Sequence, residues 1–174
     1  MGCEMVFLEL LAFILPCYVA NAAPVLVGGG MRLDMGIKLG DGMGLLGKTK
    51  TIRGFLGGVA AGAIVSGIVA AIWPGLLFGN QQTLFLAGVM LAVGALIGDA
   101  AGSFIKRRMR MKPGKHFNFL DQMDFIIGGL LFAYPFASRI YSLENIVFIV
   151  VVSYVLHVGA NVSANKLGLK KVPW

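Results

Sequence analysis

Five apolar stretches, each close to the thickness of a bilayer, decide what this chain can fold into. A hydrocarbon core of about 30 Å takes roughly 20 helical residues, and stretches of that character run over residues 5–27, 55–78, 84–105, 125–141 and 146–165. Inside a bilayer the backbone has no water to bond, so each stretch must be a helix that satisfies its own N–H and C=O groups. The expected fold class is all-α: a polytopic membrane protein with five transmembrane helices, residues 1–174 forming one domain. Composition agrees, with 57% hydrophobic and 13% charged residues, where soluble domains carry about a quarter charged. The first stretch resembles a signal peptide at Ala20-Asn21-Ala22, but Glu4 and Glu9 stand where a positive region is expected, so retention is favoured.

Orientation follows from the basic residues. Arg32, Lys38, Lys48, Lys50 and Arg53 fall in the first loop, Lys106, Arg107, Arg108, Arg110, Lys112 and Lys115 follow the third stretch, and Lys166, Lys170 and Lys171 end the chain: 14 of the 15 Lys and Arg. With five alternating helices all three segments share one side, which places the N-terminus outside and the C-terminus in the cytoplasm. The net charge of +7 then faces anionic lipid headgroups, and no aromatic-studded basic domain points to nucleic acid. Cys3 and Cys17 make no disulfide framework. Gly58 and Gly62, and the run Gly94, Gly98, Gly102, set small residues four apart on single faces and predict close helix packing. The sequence specifies no oligomeric state.

Polar chemistry gathers at the cytoplasmic helix ends. Asp99 lies within an apolar stretch, where a carboxylate needs a counter-charge or a cation. Ser103 and Lys106, four and seven residues on, share its face. Either an Asp–Lys pair steadies the bundle, or the face leads to a site. Asp121 and Asp124, three apart, can converge on one hard cation such as Mg2+, and with Asp99 they would form a three-carboxylate site. They also suit a helix start on electrostatic grounds alone. In the first loop, Gly42 to Thr49 matches GxxxxGK[ST], yet a P-loop needs a strand and sheet that a short loop between two spans cannot supply. Gly-rich amides with Lys48, Lys50 and Arg53 still suit phosphate. His157 and Asn161 read as an interhelical hydrogen-bonding pair, and Glu9 has no assigned role.

Ser103-Phe-Ile-Lys106-Arg107-Arg-Met-Arg-Met-Lys112, followed by Asp121 and Asp124, resembles the first half of the signature of the CDP-diacylglycerol synthases. Asn21, Pro24, Leu33-Asp34-Met-Gly36, Gly47-Lys-Thr-Lys50-Thr51-Ile-Arg53-Gly54 and the Lys166–Trp174 ending are similar to its archaeal branch, the CDP-archaeol synthases, over nearly the whole chain. Departures such as Lys112-Pro113 and Asp121-Gln-Met-Asp124 fit the branch that handles ether-linked lipid.

The resemblance implies a Mg2+-dependent cytidylyltransfer from CTP to an ether-lipid phosphate at the cytoplasmic face of the cell membrane. It implies Asp99, Asp121 and Asp124 as metal ligands, with Lys106 beside them. Lys50, Thr51, Arg53, Gly54, Ser103, Lys106, Arg107 and Lys112 would meet CTP or lipid phosphate, and Asn21 and Asp34 would line the same pocket. Two rivals are a CDP-alcohol phosphatidyltransferase, whose longer signature of spaced Asp, Gly and Ala-Arg is missing, and a small transporter centred on Asp99. A transporter would set polar groups near the midplane, whereas the charge here clusters at one side.

Overall fold

A computed structural model describes residues 3–75, 80–111 and 120–166. Five helices carry the described residues: α1 (Cys3–Val27), α2 (Ile52–Ile72), α3 (Gln81–Arg108), α4 (Leu120–Ala137) and α5 (Leu143–Lys166), with a 3-10 turn, Ser138–Ile140, between the last two. Among the described residues there is no strand; two isolated bridges, Arg32 with Thr51 and Lys38 with Gly44, shape the first loop. The all-α expectation holds. Among the described residues four helices are long and apolar enough to cross a membrane, and the fifth holds a shorter apolar segment, Leu143–Gly159.

Helix boundaries have local causes. The expected 55–78 stretch is corrected to Ile52–Ile72, because Thr51 caps α2 three residues early: its Oγ1 accepts from Gly54 N at 3.1 Å. Asn80 caps α3, its Oδ1 accepting from Gln82 N at 2.9 Å. Three cations, Lys106, Arg107 and Arg108, occupy the last turn of α3, where the helix dipole favours positive charge. That helix stops where Arg110 adopts a positive φ of 54° and its N–H turns back to Arg107 O at 3.0 Å. Pro135 lies in the last turn of α4, just before the 3-10 turn.

The glycine faces are where the helices meet. A Cβ at Gly98 would strike the Asp124 carbonyl, one at Gly94 the Gly128 carbonyl, and one at Gly102 the Asp124 carboxylate. Backbone therefore lies on backbone along the α3–α4 seam, as small residues in membrane helices permit. A Cβ at Gly58 would lie 2.7 Å from the Ala20 carbonyl oxygen, and one at Gly62 would strike Ala92 and the Pro16 carbonyl, so these two glycines seat α2 on α1 and α3. Ser66 Oγ donates to Phe85 O at 2.8 Å across the α2–α3 contact. Phe13, Ile14, Leu91, Phe125, Ile126 and Ile149 fill the core between α1, α3, α4 and α5.

Candidate functional site

Polar room opens where the helix ends meet the first loop. The loop is built around Asp34, whose side chain is fully buried. One oxygen accepts from Gly36 N at 3.0 Å, and the other from Leu46 N at 2.9 Å and Arg32 Nη2 at 3.0 Å. Burial pushes its pKa up, but the Gly36 and Leu46 amides and then Arg32 outweigh that and hold it below the ordinary value. From this hub a narrow hairpin runs out to Asp41 and Gly42, with Gly42 at φ +76°, a conformation that costs glycine little. Arg108 holds the hairpin down, donating to Asp41 Oδ2 at 2.5 Å and to Gly44 O at 2.7 Å. At the loop's end Thr51 Oγ1 also accepts from Gly29 N at 3.2 Å, tying the exit of α1 to the start of α2.

Under this strap lies a pocket of about 610 Å³, within the usual range for small-molecule sites. Its wall takes Asn21 from α1, Lys50, Thr51 and Gly54 from the loop and α2, Asp99 from α3 and Asp121 from α4. Six of the expected site residues therefore converge although they are spread over 101 positions of chain. Lys50 Nζ bonds Asp99 Oδ2, and Lys106 Nζ lies 2.8 Å from Asp121 Oδ1.

The other expected residues stand elsewhere. Asp34 is corrected from pocket lining to loop hub, and Arg53 is exposed on the first turn of α2. Ser103 is buried and does not line the pocket. Lys106 reaches the site through Asp121, and Arg107 donates to Met111 O at 3.0 Å. Asp124 sits against α3 with its Oδ1 accepting from Phe125 N at 2.7 Å. Lys112 falls outside the described residues, as does the side chain of Asn161. Asp99 and Lys106, expected on one face, each bond a charge from another element.

Lys48, read from the sequence as suited to phosphate, is on the wall, as are Leu96 and His157, which sequence reasoning did not place there. The signal for His157 was only that a polar residue stood in an apolar span; its ring lies 5.6 Å from that of Phe125.

Among the described residues no three His, Cys, Asp or Glu side chains are disposed to hold one metal ion. The hard oxygens of Asp99 and Asp121 on one pocket wall do fit a Mg2+ ion, which is commonly held by one or two carboxylates with phosphate oxygens completing its shell.

A family model described as CarS-like, CDP-archaeol synthase, matches residues 3–174. The chain belongs to the CDP-archaeol synthase family. It is 47% identical over 162 residues to the CDP-archaeol synthase of Thermococcus kodakarensis, covering 93% of each chain, and 42% identical over 171 residues to that of Aeropyrum pernix, covering 96% of this chain and 92% of the relative. A solved structure described as an intramembrane enzyme for archaeal membrane lipids biosynthesis is similar, with a TM-score of 0.79 at 37% identity, over 89% of this chain and 94% of the other. Membership in this family and the apolar helices make the chain a multi-pass membrane protein.

Proposed function

We propose that this protein is a membrane cytidylyltransferase. It would convert CTP and 2,3-bis-O-geranylgeranyl-sn-glycerol 1-phosphate to the CDP-lipid, CDP-archaeol, and pyrophosphate. The observation that carries the reading is the pocket itself: two lysine–carboxylate pairs and Gly-rich loop amides stand at the ends of apolar helices, where a soluble triphosphate can meet a lipid whose tails stay in the bilayer. The relatives' names supply the lipid class.

In the proposed reaction an oxygen of the lipid phosphate attacks the α-phosphorus of CTP in line. The new P–O bond forms as the bond from the α-phosphorus to the bridging oxygen breaks, and pyrophosphate leaves with that electron pair. An ionised phosphate monoester is already a nucleophile, so the chain's work is positioning and charge neutralisation. Lys50 and Lys106, released from their carboxylates, would meet the phosphates, the loop amides near Lys48 to Thr51 would orient them, and Asn21 would contact the same ligand from α1. Asp99 and Asp121 would hold Mg2+, with Asp124 behind them; that ion would supply positive charge against the pyrophosphate as its charge grows.

The same reading takes residues 1–174 as one catalytic domain with α5 as a fifth span, the N-terminus outside and the basic loops and C-terminus cytoplasmic. Those loops carry 14 of 15 Lys and Arg, and short basic loops stay on the cytoplasmic side.

The test is CTP-dependent pyrophosphate release by purified protein in detergent, with the geranylgeranyl-ether glycerol phosphate, with and without Mg2+. Asp121→Asn should cut the lipid- and Mg2+-dependent rate by on the order of a hundredfold, as removal of one charge-stabilising group commonly does. Folded, lipid-supplied wild type that releases no pyrophosphate sinks the proposal.

A further inference from the structure

The two carboxylates on the pocket wall are each engaged by a lysine from a different element. Asp99 of α3 meets Lys50 from the first loop, with side chains 27% and 21% exposed. Asp121 of α4 meets Lys106 of α3 at 2.8 Å, with side chains 16% and 20% exposed. Charges this withdrawn from water are costly to strand, since removing one partner leaves the other uncompensated.

A divalent cation arriving alone at Asp99 must displace Lys50 and leave its ammonium beside the new positive charge. A triphosphate arriving alone can draw Lys50 and Lys106 to its oxygens, but then Asp99 and Asp121 face the same anion. Together the two ligands complete an exchange in which the lysines go to phosphate and the carboxylates to the cation. The carboxylates alone do not form a three-ligand cage among the described residues, so phosphate oxygens are needed for the cation's shell as well.

We propose that the Lys50–Asp99 and Lys106–Asp121 pairs are placeholders that make the binding of divalent cation and nucleotide triphosphate positively cooperative, so that the site disfavours either alone and accepts both as a unit. This rests on the proposed CTP-dependent function. Lys50 and Lys106 act on the cation through Asp99 and Asp121 and are positioning residues toward it. Linkage is reciprocal: whatever factor the cation adds to nucleotide affinity, the nucleotide adds to cation affinity.

The experiment uses Mn2+ as a spin-active stand-in for Mg2+, titrated into the full chain in detergent without nucleotide and followed by electron paramagnetic resonance. Lys50→Met should bind Mn2+ at least about tenfold more tightly than wild type, in the range usual for coupled sites. Lys50→Arg should stay as weak as wild type, and Lys50→Met combined with Asp99→Asn should lose the gain. Lys106→Met repeats the test at Asp121 should Lys50→Met fail to fold. Equal Mn2+ affinity in wild type and in a folded Met variant overturns the proposal, as does a gain that survives Asp99→Asn. Equilibrium dialysis of CTP separates this from the function beneath it. No CTP binding by wild type with Mg2+ sinks the cytidylyltransferase reading and leaves the Mn2+ comparison standing; equal CTP binding with Mg2+ and with a chelator sinks cooperativity alone.

Discussion

The α3–α4 seam and α5 are both helical packing regions rich in apolar residues, yet they are built on opposite terms. Along the seam the glycines leave no space: Gly94, Gly98, Gly102 and Gly128 each stand against the backbone or the Asp124 side chain of the neighbouring helix. On α5, no described residue packs within 4 Å of the position a Cβ at Gly159 would take, and Val151, Val155 and Leu156 are exposed toward where lipid would lie. The difference teaches where rigidity is placed. Asp99 and Asp121 are delivered to the pocket by α3 and α4, the pair locked by backbone contact, while among the described residues α5 contributes only His157 to the wall. Charged groups that must hold a ligand to fractions of an ångström belong on the elements that cannot shift.

The sharpest way to break that contrast is Gly98→Leu. Its Cβ would enter the Asp124 carbonyl and the Gly128 Cα region, and backbone cannot rotate away as a flexible side chain would. The cost should reach or exceed the upper end of the ~1–3 kcal/mol typical of overpacking, a large part of the ~5–15 kcal/mol that usually holds a fold. Thermal unfolding in detergent, or loss of the monodisperse peak on gel filtration, reads the outcome. A variant that unfolds at the wild-type temperature would mean the seam is not the rigid frame.

A smaller effect is expected one layer out, in the loop. Asp34→Asn keeps the shape of the hub but sets an amide against donors that now share a carboxylate, Leu46 N and Arg32 Nη2. A lost charge-assisted hydrogen bond is worth about 1.5–3 kcal/mol, so tryptic cleavage at Lys38 or Lys48 should quicken by about tenfold or more if local opening limits it, with the helices still intact. The pH dependence has a definite sign. Because the folded pKa of Asp34 is lowered from its ordinary 3.8, its contribution is complete above that value and is lost as pH falls through the lower folded one. Protection of the loop against an acid-active protease should therefore be flat above pH 3.8 as far as Asp34 is concerned and should fail only below it. Protection that declines well above that pH would remove Asp34 as the hub.

These contrasts also mark what could be read from the chain before its structure. Apolar length alone placed the helices, because the bilayer imposes one solution on such stretches, and the period of four in Gly94, Gly98 and Gly102 identified the contact face of α3 correctly. What that face touches was not legible, since small residues permit close approach without naming a neighbour. The start of α2 was legible in principle: Thr51 ahead of Ile52-Arg-Gly54 is an N-cap pattern, and reading the apolar run alone missed it by three residues. The pairing of Asp99 was not, because helical periodicity relates it to Lys106 on its own helix, whereas its partner Lys50 comes from a loop 49 residues away. The loop's closest motif match pointed to a P-loop, while its fold depends on one buried aspartate accepting from residues two before, two after and twelve after it.

The smallest expected effect tests the other side of the comparison. Gly159→Ala adds a methyl group where, among the described residues, nothing packs within 4 Å, and in a helix interior alanine is favoured over glycine by roughly 0.5–1 kcal/mol because less backbone freedom is lost on folding. The variant should unfold at or slightly above the wild-type temperature, with unchanged pyrophosphate release, since Gly159 lies outside the pocket wall. Packing among the described residues gives α5 no reason to keep a glycine at this position. A clear drop in stability would show that the open face of α5 has a close neighbour outside the described residues, and that the contrast with the α3–α4 seam lies in which partner each glycine face meets rather than in how tightly it is packed.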